Sequence, residues 1–219
     1  MAVADRAQYL AEVVAALRAH WPENRTVNVV CHGHSVPAGY FATPMVDSLC
    51  AYPHLLHRGL KERFPFAVVN VIVTAVGGEE SPTGAARFES EALCHRPDVV
   101  TIDYALNDRR VGPAAAEAAW RAMVEQALTR GARVILLTPT ADVTQQPGRA
   151  DAGDLQRHAE QVRRLAGEYG VGLADSLAAF EAYCTAGELG DLLSWANHPN
   201  RAGHELVARE LLRWFPVGA

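Results

Sequence analysis

Short runs rich in valine and isoleucine alternate with longer amphipathic stretches along most of this 219-residue chain. The runs are too short for buried helices, and their β-branched residues favour strands. They are TVNVVC (26–31), FAVVNVIVT (66–74), DVVTIDY (98–104), ARVILLTP (132–139) and the weaker GVGLAD (170–175). Nearly continuous apolar strands that alternate with helices are typical of a parallel sheet with both faces covered. The pattern predicts an α/β fold: a three-layer α/β/α sandwich around a central, mostly parallel, five-stranded sheet.

The stretches between the strands predict the helices of the two outer layers. They cover about 46–63, 82–95, 113–130, 151–169 and 201–214, and an amphipathic stretch opens the chain at 1–21. No repeat, low-complexity tract or linker interrupts the alternation. We therefore expect residues 1–219 to form one domain.

Composition excludes several classes of partner and cofactor. The net charge of −5, without a basic stripe, gives no support for a nucleic-acid partner. No run approaches the roughly 20 apolar residues of a membrane span, so we expect no membrane partner. The four cysteines, Cys31, Cys50, Cys94 and Cys184, are far apart and form no CxxC pair. That spacing argues against a metal knuckle or a disulfide framework and predicts reduced thiols in a cytoplasmic protein.

Four loops of the predicted sheet carry residues suited to chemistry. Ser35 follows the first strand in CHGHSVPAG, Gly77 and Gly78 follow the second, and Asn107 follows the third. His198 stands in NHPNRAGH, ahead of the last helix. Because ligands bind beyond the carboxyl ends of parallel strands, we expect these residues to share one rim of the sheet.

Acyl transfer requires this set of groups. A hydroxyl nucleophile needs a base, and imidazole titrates near neutrality. The developing oxyanion needs fixed donors, which a glycine N–H and a side-chain amide supply. Taken alone, each residue has a simpler interpretation: Ser35 as a helix N-cap, Asn107 as a turn residue and His198 as a loop histidine.

The four blocks GHSVPAG, VGGEES, LND and NHPNRAGH occur in a recognisable order and spacing. In these blocks the chain, from Val27 to about Leu211, resembles the SGNH (GDSL-type) esterase/lipase superfamily. Proline at position 37 excludes the Gly-x-Ser-x-Gly elbow of the α/β-hydrolases. The resemblance implies a flavodoxin-like SGNH hydrolase fold and ester hydrolysis without a cofactor or a metal.

The resemblance also assigns roles to single residues. It implies that Ser35 is the nucleophile and His198 the base, and that Gly78 and Asn107 complete an oxyanion hole with the Ser35 amide. Gly78 is preferred to its neighbour because the family's glycine directly precedes an acidic or amide residue, here Glu79.

The chain departs from the family pattern at two positions. Gly-Asp-Ser is Gly-His-Ser here, with His34 in place of the acid, and Trp195 stands where Asp-x-x-His would put an aspartate. The Nδ1 atom of His198 still needs an acceptor if Nε2 is to take the serine proton. We expect the main-chain carbonyl of Trp195 to supply it, with the carboxylate of Asp191 as the rival.

The residues expected at the rim are polar and indicate the substrate class. They are His34, Glu79, Glu80, Asn107, Arg109 and Arg110. The sequence therefore predicts a serine esterase that acts on a small-molecule ester, with a short acyl group such as acetyl on a carbohydrate. The alternatives are a thioesterase or lysophospholipase-type acyl hydrolase and a non-catalytic, ligand-binding relative of the same fold.

Overall fold

The computed structural model describes residues 2–145 and 152–217. Its sheet has five strands that all run parallel, in the order β2-β1-β3-β4-β5. The strands are β1 (Thr26–Gly33), β2 (Val68–Val73), β3 (Val99–Asp103), β4 (Arg133–Leu137) and β5 (Gly172–Ala174). All five lie where the sequence predicted strands.

Eight α-helices accompany the sheet in the described residues. They are α1 (Ala11–Arg18), α2 (Ser35–Ala38), α3 (Tyr52–Arg63), α4 (Ser81–Arg87), α5 (Pro113–Thr129), α6 (Ala152–Tyr169), α7 (Ser176–Tyr183) and α8 (Arg201–Leu212). The helix expected from residue 46 begins only at Tyr52, and the one expected over 82–95 continues beyond α4 as a π-helical turn (Phe88–Ala92) and a 3-10 turn (Leu93–His95). Helix α7 was not predicted; Asp175 caps it by accepting the Ala178 N–H.

Side chains from the two faces of the sheet form two apolar cores, which confirms the three-layer fold. Successive β1 side chains point to opposite faces of the sheet, so that Val29 belongs to one core and Val30 to the other. Helices α1, α3, α7 and α8 cover the first face, α5 covers the second, and α6 contributes to both. No helix of the described chain is long and apolar enough to cross a membrane.

The strand order places a switch point between β1 and β3. From β1 the chain moves to the β2 edge and then returns to the other side of β1, so the connections leave a crevice at the carboxyl ends of β1 and β3. Gly33 ends β1 there, and a Cβ on it would lie 2.5 Å from the Asp103 carbonyl oxygen and 2.8 Å from Pro37 Cγ. Only glycine allows β1 and β3 to approach this closely before the chain turns into α2.

Candidate active site

Ser35 is the first residue of the short helix α2, directly after β1. The N-cap is His34, whose Nδ1 accepts the Val36 N–H at 3.2 Å. Ser35 is therefore not the helix cap. Its hydroxyl contacts another side chain, His198, and the residue is only 5% exposed.

His198 lies between the serine hydroxyl and a main-chain carbonyl. Its Nε2 is 3.0 Å from Ser35 Oγ, and its Nδ1 is 2.8 Å from the carbonyl oxygen of Phe41. A carbonyl oxygen only accepts hydrogen bonds, so Nδ1 carries the proton and donates it to Phe41. The unprotonated Nε2 then faces the serine hydroxyl as an acceptor, which is the tautomer that proton abstraction requires.

Both sequence-based candidates for the Nδ1 partner are wrong. The turn that carries His198 closes on itself through the Ser194 N–H, which donates to the His198 carbonyl at 2.9 Å. Trp195 is consequently directed to solvent, 58% exposed, and its N–H rather than its carbonyl contacts this loop. Asp191 is also exposed and accepts from the Glu188 N–H at 3.1 Å.

The environment of His198 favours the neutral imidazole. Burial lowers its pKa below the ordinary value, and the nearby His34 lowers it further, while the hydrogen bond to Phe41 acts in the opposite direction. A histidine of this kind is unprotonated at neutral pH and ready to accept a proton.

The loop after β2 and the residue after β3 are joined by a direct hydrogen bond. Asn107 Nδ2 donates to the Glu79 carbonyl at 3.0 Å, and its second amide hydrogen stays available. Gly78 adopts a left-handed conformation with φ +78°, which favours glycine, and Arg110 donates to its carbonyl oxygen. In the described part of the chain, no acceptor bonds the Gly78 N–H. The structure thus brings together the two residues expected to bind an oxyanion.

The same loop lies close to Ser35 and His198. The Val76 N–H donates to the carbonyl of Gly33, two residues before Ser35, at 3.0 Å. A Cβ on Gly77 would lie 2.8 Å from the ring of Tyr40, whose centroid is 6.1 Å from that of His198. The loops that carry the serine, the glycines and the histidine therefore meet at one point.

Two of the residues expected at the rim are buried instead. His34 is 1% exposed, with Nε2 3.4 Å from Asp103 Oδ1, and Glu79 is 7% exposed and bonded to Arg87. Polar residues at strand ends are usually solvated, but Glu79 has a charged partner from another element and His34 caps α2 through Nδ1. Glu80 and Arg110 do lie at the surface, where they form an ion pair at 2.8 Å.

Asp108 has a structural role. Its Oδ1 accepts the Ser81 N–H at 2.8 Å and its Oδ2 accepts Trp120 Nε1 at 2.7 Å. The residue is fully buried, and burial raises its pKa. It anchors the loop after β3 to α4 and α5.

A polar cleft of about 350 Å³ includes Asn107 of the candidate site in its lining. Its lining residues are Leu106, Asn107, Arg109, Arg110, Thr144, Asp154 and Asn197. Asn197, which directly precedes His198, is one of the lining residues, whereas Ser35 and His198 themselves are not. Within residues 2–145 and 152–217, no group of three or more His, Cys, Asp or Glu side chains is placed to hold a metal ion.

Comparison with known proteins adds a family and a set of structural neighbours. The GDSL-like Lipase/Acylhydrolase family model matches residues 31–206. No curated protein sequence matches the chain. The structure is similar to the crystal structure of Axe2, an acetylxylan esterase from Geobacillus stearothermophilus, with a TM-score of 0.76 and 22% sequence identity. The match covers 86% of the present chain and 94% of the Axe2 chain.

A second neighbour is LAE5, an alpha/beta hydrolase enzyme from the metagenome of Lake Arreo, Spain. It has a TM-score of 0.76 at 23% identity and covers 86% of this chain and 94% of that chain. At such identities the likeness shows the fold. Catalytic mutants of Axe2 replace a serine, a histidine and an aspartate three positions before that histidine. Three positions before His198, the present chain has Trp195.

Proposed function

We propose that this chain, which belongs to the GDSL-like lipase/acylhydrolase family and is a serine ester hydrolase, acts on esters of short acyl groups. The proposed substrates are in particular acetyl groups on carbohydrates, and the reaction passes through an acyl-Ser35 intermediate. The observation that carries the proposal is the 3.0 Å hydrogen bond between Ser35 Oγ and His198 Nε2. That distance lies within the reach required of a nucleophile and its base.

The reaction begins when His198 Nε2 takes the proton of Ser35 and Oγ attacks the ester carbonyl. The carbonyl oxygen becomes an oxyanion, which accepts from the free N–H of Gly78, from Asn107 and from the Ser35 amide. Collapse of the tetrahedral intermediate expels the alcohol, and imidazolium returns the proton to it. Water, deprotonated by the same imidazole, then attacks the acyl-serine; the acyl–Oγ bond breaks, the acid leaves, and the imidazolium returns the proton to Ser35 Oγ.

The Phe41 carbonyl takes the place of a carboxylate in this mechanism. It fixes the Nδ1–H tautomer of His198 through a 2.8 Å hydrogen bond. Hydrogen bonds to charged acceptors are roughly twice as strong as those to neutral ones, so a carbonyl stabilises the imidazolium less than a carboxylate does. We therefore expect a Ser–His dyad with modest turnover.

The polar cleft supports a small, hydrophilic substrate. Among its lining residues only Leu106 is apolar, while Asn107, Thr144 and Asn197 offer neutral hydrogen-bonding groups suited to sugar hydroxyls. A long acyl chain would meet only one apolar side chain there. The acetylxylan esterase among the structural neighbours agrees with this substrate class.

The test is turnover of p-nitrophenyl acetate, butyrate and octanoate, together with release of acetate from an acetylated xylo-oligosaccharide. We expect kcat/KM to fall with chain length and Ser35→Ala to abolish turnover. The control is Ser90→Ala, because Ser90 is exposed on the π-helical turn after α4. A fluorophosphonate should label Ser35 and no other residue.

Other outcomes would support the alternatives. A preference for octanoate, or for an acyl thioester, would indicate a lysophospholipase-type enzyme or a thioesterase. Wild-type protein that hydrolyses none of these substrates, and whose Ser35 a fluorophosphonate does not label, would be a non-catalytic relative.

A further inference from the structure

A buried cluster of charged and polar groups lies under the loop that carries Gly78. Its centre is the Glu79 carboxylate: Arg87 Nε is 2.9 Å from Oε1 and Arg87 Nη2 is 2.5 Å from Oε2. The Tyr104 hydroxyl donates to Oε2 at 2.8 Å. Neither Arg87 nor Tyr104 has a part in the mechanism above.

The same residue, Glu79, also holds an oxyanion donor through its main chain. Its carbonyl oxygen accepts Asn107 Nδ2 at 3.0 Å, and its N–H donates to the Val76 carbonyl at 3.3 Å. The side chain of Glu79 therefore anchors a peptide whose backbone neighbours Gly78 and orients Asn107. A shift of the carboxylate would move both donors.

The surrounding elements are built to hold this carboxylate firmly. A Cβ on Gly84 of α4 would lie 2.3 Å from the Tyr104 hydroxyl oxygen, so the tyrosine reaches Glu79 only because residue 84 has no side chain. Burial by itself raises the pKa of Glu79, but the bonds from Arg87 and Tyr104 outweigh this effect and hold that pKa below its ordinary value. The carboxylate is thus ionised and fixed by three donors.

From this arrangement, and resting on the function proposed above, we propose that Arg87 and Tyr104 are positioning residues for ester hydrolysis. They act through Glu79 on Gly78 and Asn107, and they do not touch the substrate. Oxyanion donors work only within about 2.7–3.1 Å of the developing charge. A displacement of about 1 Å can cost on the order of 10²-fold in rate.

The first variants are Tyr104→Phe and Arg87→Lys. Tyr104→Phe removes one donor and keeps the ring, and Arg87→Lys keeps the charge but loses the two-pronged contact. We expect kcat for p-nitrophenyl acetate to fall about 5- to 20-fold in the first and about 10- to 100-fold in the second, with KM within twofold. The matched controls are Tyr169→Phe and Arg121→Lys, whose partners Glu125 and Glu117 lie outside the site, and these should keep full turnover.

A double-variant cycle with Asn107→Ala separates positioning from general stability. If Tyr104 acts through the oxyanion hole, Tyr104→Phe costs clearly less in kcat once Asn107 is alanine, because only the Gly78 donor is then left to be displaced. Two losses that multiply would overturn the proposal, as would a Tyr104→Phe variant indistinguishable from Tyr169→Phe. If thermal melting shows that Tyr104→Phe does not fold, the same double-variant cycle is measured with Arg87→Lys in its place. If neither variant folds, the cluster is structural and the proposal is wrong. Failure of the esterase proposal itself would look different: wild-type protein would show no turnover that depends on Ser35.

Discussion

Replacing Asp191 by asparagine should leave catalysis nearly intact. In the family pattern an acid close before the histidine orients the imidazole, and Asp191 is the nearest aspartate before His198 in the chain. Its carboxylate instead accepts from the Glu188 N–H at 3.1 Å and from the Tyr183 hydroxyl at 3.3 Å. The acceptor for His198 Nδ1 is the Phe41 carbonyl, which Asp191→Asn does not alter.

The two possibilities differ widely in magnitude. Loss of an acid that orients the catalytic histidine costs on the order of 10⁴ in kcat, or about 5.5 kcal/mol of transition-state stabilisation. Because Asp191 is exposed and caps a 3-10 turn (Leu189–Leu192), we expect less than threefold in kcat and about 0.5–1 kcal/mol in the free energy of unfolding.

The assay is steady-state hydrolysis of p-nitrophenyl acetate, with urea unfolding of the same preparation. Trp195→Asp belongs in the same series, because it restores a carboxylate at the family position. Since the Phe41 carbonyl already accepts the hydrogen bond from His198 Nδ1–H, we expect kcat to change by less than threefold in this variant too. A loss in kcat above 100-fold in a folded Asp191→Asn protein would assign the orienting role to that carboxylate and exclude the Phe41 carbonyl from it.

Three further outcomes follow from the site and the core. Asn107→Ala should lower kcat by on the order of 10²-fold with a smaller effect on KM, measured with p-nitrophenyl acetate; a change confined to KM would show ground-state binding only. Burial lowers the pKa of His198, and the reaction needs the neutral form of its imidazole. We therefore expect kcat/KM to rise with pH through a midpoint below about 6.5 and then to level off. A midpoint above 7 in the pH–rate profile would contradict this. Trp120→Phe removes the 2.7 Å hydrogen bond to buried Asp108 and should cost about 1–3 kcal/mol in urea unfolding, whereas Trp195→Phe, at an exposed position, should cost less than about 0.5 kcal/mol.

The sheet could be predicted from the sequence because its signal is local. Each strand is a short β-branched run bounded by turn residues, and all five were placed to within a few residues. Helix α7 gave a weaker signal, since SLAAFEAY is short and largely apolar and shows little amphipathic periodicity. Its one usable mark was Asp175, an N-cap residue directly after the fifth strand.

The side chains of the site could be predicted in part, while the groups that orient them could not. Ser35 and His198 were found from motif blocks, and the structure places them 3.0 Å apart. The Phe41 carbonyl gives no sequence signal, because every residue has a carbonyl and this one is 157 positions from the histidine. Likewise, the burial of Glu79 depends on Arg87 and Tyr104, which come from a helix and from the end of another strand.

Without an acid behind His198, oxyanion stabilisation must supply a larger share of the rate acceleration. Burial of the imidazole disfavours the charged form of His198, and the neutral acceptor at Nδ1 offsets this less than a carboxylate would, so the base is unprotonated at neutral pH but weak. A weak base leaves more of the barrier to be lowered by stabilisation of the oxyanion, which does not depend on the histidine. Arg87 and Tyr104 hold Glu79 firmly, and Glu79 adjoins the proposed oxyanion donors Gly78 and Asn107. A site with a carboxylate behind its histidine would tolerate a looser oxyanion loop, because its base would supply more of the acceleration.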